Sequence, residues 1–151
     1  MAIPLEGRLW WRKTAPFHVQ LELELEKSQT VPCITRFQGR AIRVFRTDGR
    51  LAIGDHVAFA IWVCQPGDEP TGPAYIYFDE FLRATHIEAY LHGAPPEFEL
   101  AAYEFSVIDA PSEQPYLTIG ELENMFARCK EPEAGTASAS NAKIWWQLWK
   151  P

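Results

Sequence analysis

The sequence predicts a mainly β protein: a small antiparallel β-barrel, closed or partly open, with one or two short helices. Three observations carry that expectation. Residues 18–26 alternate apolar and polar side chains, residues 57–64 form an apolar run bounded by turn residues, and clusters of Gly, Pro and Asp cut the chain into short segments. The chain has 151 residues, enough for one domain with one sizeable core.

Taken in order, a short strand is expected over 8–12, with Pro16 near the turn after it. In 18–26, Val19, Leu21, Leu23 and Leu25 alternate with Gln20, Glu22, Glu24 and Glu26. Leu and Glu are good helix formers, but helical spacing would scatter these leucines around the cylinder, so the period of two decides for a strand. Residues 33–46 read as a strand with a bulge or bend at Gly39. Asp48-Gly49 marks a tight turn, Leu51 and Ile53 lead to a second at Gly54-Asp55, and 57–64 comes next as a central strand.

Residues 66–73, rich in Pro and Gly, form a loop, and 74–78 is strand-like. Two readings stand open for residues 79–91: a helical turn over 79–84 and a strand over 85–91, or one helix throughout. Residues 93–96 break either element, and 98–109 is a further strand. Thr118-Ile119-Gly120-Glu121 matches a capping box, in which hydroxyl and carboxylate each satisfy a free N–H at a helix start. Ile119, Leu122, Phe126 and Cys129 fall on one stripe of that helix, with Met125 beside it, and Pro132 stops it. The expected organisation is a barrel domain over 1–130, a flexible linker over 131–143, and a Trp-rich tail over 144–151.

Within this architecture, residues 37–64 resemble the early hairpins of an OB-type barrel. The features are the bent strand at Gly39, the Asp48-Gly49 turn, and Ile53-Gly54-Asp55-His56-Val57-Ala58-Phe59 entering an apolar strand. The resemblance implies an OB-like fold. It rests on turn and core residues, so no catalytic residue is carried over from it.

Hydrophobic residues at 47% and charged residues at 23% are the balance of a globular chain rather than a disordered one. Aromatics at 13%, with 6 Trp, imply a well-filled core or an aromatic surface kept for a partner. A net charge of -6 opposes nucleic acid and anionic lipid as default partners, and no apolar run approaches the roughly 20 residues that span a bilayer. Cys33, Cys64 and Cys129 form no CxxC pair, and the N-terminal stretch lacks a basic-then-apolar layout, so a reducing, cytoplasmic setting is expected.

Four constellations bear on chemistry. Arg36, Arg40, Arg43 and Arg46, with Arg50 beyond them, gather on one segment; 36, 40 and 46 share parity and would line one strand face, where arginines grip phosphates or single-stranded nucleic acid. The same arginines match the Glu22, Glu24, Glu26 ladder as cross-strand partners, which is the stronger reading. That ladder spaces its carboxylates about 7 Å apart, too far to share an ion, and reads as a solvated strand face. His18, His56, His86 and His92 show no metal spacing, and no nucleophile elbow, zinc-protease, Walker or dinucleotide motif is present, so neither a metal nor a cofactor is expected.

The tail is the most unusual feature. In 144–149, Ile144, Trp146 and Leu148 would point one way on a strand and Trp145 and Trp149 the other. It either folds back onto its own barrel, beside Trp10-Trp11, or docks on a second copy or another protein by strand addition with Trp anchors. The expected function is a non-enzymatic binding or protein-interaction module, with Trp145, Trp146 and Trp149 and the four arginines as candidate binding residues. The alternatives are a small hydrolase or lyase using His86, Glu88 or Asp109, and single-stranded nucleic-acid binding through the arginines.

Overall fold

The computed structural model describes residues 5–24, 34–68 and 75–130. Its elements are α1 (Leu5–Thr14), β1 (Phe17–Leu23), β2 (Ile34–Arg46), β3 (His56–Cys64), β4 (Tyr75–Tyr77), α2 (Phe78–Arg83), β5 (His86–Ala94), β6 (Glu97–Ile108) and α3 (Ile119–Lys130). Five strands close a barrel in the order β1–β2–β3–β6–β5 and back to β1. The ring is antiparallel at every pairing but one: β3 and β6 run parallel and meet at a single bridge, Ala58 to Glu97. Strand β4 adds to β3, also in parallel.

Alternating positions fill the interior. Phe17, Val19 and Leu21 of β1 meet Phe37 of β2, Val57, Phe59 and Ile61 of β3, Ile87, Ala89 and Leu91 of β5, and Phe98 of β6. Helix α2 seats Phe81 edge-on to Phe37, with ring centroids 5.5 Å apart. Of the two readings for 79–91, the helix ends at Arg83 and the strand begins at His86. Ile87, Ala89 and Leu91 supply the reason, since a period of two places all three in the core.

The strand expected over 8–12 is instead part of α1. Glu6 in its first turn and Arg12 and Lys13 in its last complement the helix dipole. Arg8 and Arg12, four residues apart on one face, both reach Glu104 of β6. The Ala15 N–H donates to the Trp11 carbonyl at 2.7 Å, and Pro16 comes next.

Strand β2 serves two partners. Its first half pairs with β3 and its second with β1, overlapping at Gly39 and Arg40. Gly39 is therefore the corner, and a Cβ there would lie 2.5 Å from the Glu22 carbonyl oxygen. The bulges fall elsewhere: register shifts against β1 leave Ile42 and Phe45 without opposite residues. Those two extra residues reset the alternation, so Arg43 lies opposite Gln20 and Arg46 opposite His18.

The outer face of β1, β5 and β6 is covered by α1, which packs on β6, and by the 109–118 segment, while α3 packs on α1. The capping box forms as its residues predict: the Thr118 N–H donates to Glu121 at 2.7 Å, and the Glu121 N–H to the Thr118 hydroxyl at 3.2 Å. Leu122 is buried, and Lys13 of α1 pairs with Glu123 of α3. Among the described residues no helix is long and apolar enough to cross a membrane. Cys33, Glu26, the linker and the tail, with Trp145, Trp146 and Trp149, lie outside the described residues.

Candidate functional site

The single bridge between β3 and β6 leaves an opening in the barrel wall. Beyond Ala58, β3 has no described strand beside it on this side until Trp62 meets β4. The Ala58 N–H donates to the Pro96 carbonyl at 2.9 Å on the β6 side. With a period of two, the Ala60 N–H points the same way, into the opening. An open cleft of about 400 Å³ lies here, lined by Trp11, Ala60, His92, Phe98, Glu99, Leu100 and Ala102. Its volume is within the range of small ligand sites.

Two features shape this cleft. The Trp11 and His92 rings stack with centroids 5.9 Å apart, and Trp10, edge-on to Trp11 at 4.9 Å, is exposed beside them. The second feature is a wide bulge in β6. Ala89 pairs with Phe105 and Leu91 with Leu100, so four residues of β6 face Tyr90 alone. Within that bulge Ala102 has φ 51°, the left-handed region that costs a non-glycine residue about 1 kcal/mol or more. Strain of this kind concentrates at binding and catalytic sites, and here it stands in the cleft wall.

A buried polar network lies on the neighbouring face. Glu88 accepts from His18 Nε2, from Gln20 Nε2 (both 2.8 Å) and from the Tyr116 N–H at 2.9 Å. Burial alone would push the Glu88 carboxyl up, but these hydrogen bonds together hold it below its ordinary value of 4.5. Gln20 also accepts from the Ser112 N–H at 2.9 Å, fastening the 109–118 segment to the barrel. Tyr90 stacks on His18 at 4.0 Å, and burial pushes its phenol up to about 12. Among the described residues no buried side-chain polar atom lacks a partner, so this network is internally satisfied.

The four candidate arginines share the outer face of β2 but not one role. Arg36 pairs with Glu97, and Arg40 with Glu24 at 3.5 Å. Of the four, only Arg40 thus meets a described carboxylate of the Glu ladder. Arg46 donates to the Arg12 and Ala15 carbonyls at 3.0 and 2.8 Å, capping the end of α1. Arg43 is exposed. The polar face of β1 is not wholly solvated either, since His18 and Gln20 are buried under the covering segment. His86, Glu88 and Asp109 do not line the cleft; Glu88 is buried in its network, and Asp109 is exposed. No group of three or more His, Cys, Asp or Glu among the described residues is placed to hold a metal ion.

Sequence reasoning weighed His92 only as a metal ligand, passed over Phe98, Leu100 and Ala60 as site residues, and used Trp11 only as a neighbour for the tail. No local signal marks them, because the cleft exists only where β3 and β6, far apart in sequence, fail to zip. Comparison with protein-family models, curated proteins and solved structures finds no match.

Proposed function

We propose that the protein is a non-enzymatic binding module that takes an extended, aromatic-bearing peptide segment in the cleft between β3 and β6. The observation that carries this reading is a stretch of β3 around Ala60 that no described strand pairs, beside an apolar, Trp-rimmed cleft. An extended peptide can hydrogen-bond to the Ala60 backbone as an added strand while one large side chain fills the space over Phe98 and Leu100. Aromatic anchors in a desolvated pocket supply most of the energy of such contacts. Cys33, Cys64 and Cys129 form no CxxC pair, and a reducing, cytoplasmic setting belongs to the proposal. The satisfied Glu88 network and the carboxylate partners of Arg36 and Arg40 favour structural over catalytic or phosphate-binding roles.

The test is selection from a library of displayed random peptides. It uses the full chain, and the full chain with Trp145, Trp146 and Trp149 changed to Ala. Enrichment of aromatic-containing peptides that lose binding to the Ala60→Trp variant is the expected result. No enrichment on either chain, or peptides that bind Ala60→Trp equally well, overturns the proposal.

A further inference from the structure

We infer that the segment seated in the cleft is the chain's own C-terminal stretch, residues 144–149, bound in cis; the inference rests on the cleft being a peptide site. The first argument is chemical complementarity. The stretch Ile144-Trp145-Trp146-Gln147-Leu148-Trp149 is flanked by Lys143 and Lys150. The cleft offers Phe98, Leu100, Ala60 and the Trp11 ring to the indoles, and Glu99 at its lip, 80% exposed, to a flanking ammonium. Glu97 stands on the same rim, opposite Ala58. Arg36 pairs with Glu97 and takes up its charge, whereas Glu99, with His92 at 3.7 Å, is the rim carboxylate turned to solvent and placed to meet an ammonium.

The second argument is reach. Helix α3 is tied to α1 by the Lys13–Glu123 pair, two residues from Trp11 at the cleft. From Glu123 to Lys130 the helix carries the chain about 10 Å. Residues 131–143 can span about 45 Å when extended, well in excess of what the path back needs. A tether of this length gives an effective concentration on the order of millimolar, which a second copy at micromolar concentration cannot match. Occupation in cis makes the tail a built-in competitor, so an external ligand must displace it.

The test uses the full chain at about 1 μM with photoreactive benzoylphenylalanine in place of Trp146, irradiated and mapped by mass spectrometry. A cross-link within a species of monomer mass, to peptides containing Trp11, Ala60 or residues 97–102, is expected. Adding Ala60→Trp lowers its yield about tenfold or more, the effect of at least about 1.4 kcal/mol. Adding Arg43→Trp, at an exposed site outside the cleft lining, leaves the yield unchanged and controls for folding. Cross-links at dimer mass, at sites outside the cleft, or none at all overturn the inference. If cross-linking fails while selected peptides still require an open cleft at Ala60, the occupant is wrong and the binding reading stands. If those peptides fail as well, the cleft is not a peptide site.

Discussion

Glu88 concentrates the stability of the barrel's covered face in one carboxylate. It accepts from two side chains of β1 and from the backbone of the 109–118 segment, so three donors depend on it. Glu88→Ala leaves buried His18 without its carboxylate, Gln20 Nε2 with Ser112 Oγ at 3.1 Å, and the Tyr116 N–H released, and is expected to cost about 3–5 kcal/mol in urea unfolding at pH 7. Glu88→Gln keeps the shape and one acceptor, and about 2 kcal/mol is expected for it. The folded carboxyl titrates below 4.5, so its contribution is complete above that value and fades as pH falls through the folded pKa. The gap between wild type and Glu88→Gln therefore narrows below about pH 4.5, which unfolding midpoints across pH 3–7 will show. Gly39 gives a second contrast. Gly39→Ala drives a Cβ into the Glu22 carbonyl and is expected to cost about 1–3 kcal/mol, whereas Gly120→Ala, in open space on α3, is expected to gain about 0.5 kcal/mol. At this scale the sequence was partly legible. Gly39 announced a backbone demand, and of the bulge or bend expected there it is the bend. The burial of His18 and Gln20 was hidden, because the cover comes from residues nearly a hundred positions away.

At the scale of elements, periodicity and capping chemistry were the readable signals. Strands β1 and β3 obey their alternation and apolar run, and α3 begins where its capping box places it. Thr118→Ala removes the hydroxyl that accepts the Glu121 N–H, and a loss of about 1 kcal/mol in thermal or urea unfolding is expected. Helix α1 was not legible as a helix. Its Trp pair and short length favour a strand locally, and the pairing that decides against it, Arg8 and Arg12 with Glu104, is long-range. Arg12→Ala strips the 2.6 Å hydrogen bond from a buried carboxylate and leaves only Arg8 beside it. About 2–4 kcal/mol is expected, with near-ultraviolet dichroism from Trp10 and Trp11 changing in parallel as α1 loosens. The bulges at Ile42, Phe45 and 101–104 had no sequence signal at all, since each is defined by what the neighbouring strand does. They nevertheless decide which side chains share a face, and so where the arginines and the cleft wall lie.

For the molecule as a whole, one topological fact governs where binding can occur. Among the described residues, a five-stranded ring that closes through a single parallel bridge leaves an edge of β3 unpaired, and unpaired edges are either covered or used. Here α1 covers one side of the opening with Trp11, the β6 bulge forms the other, and the space between is apolar. The barrel class was readable from short strands and turns, while the position of its seam was not. The most direct test of the cleft as a binding site is amide chemical-shift mapping on the full chain carrying Trp145→Ala, Trp146→Ala and Trp149→Ala. The probe is a synthetic peptide of residues 143–150. Saturable shifts confined to Trp11, residues 59–61, His92 and 98–102, and abolished by Ala60→Trp, are the predicted result. Shifts scattered over the surface, or centred on the outer face of β1 and β2, would contradict it.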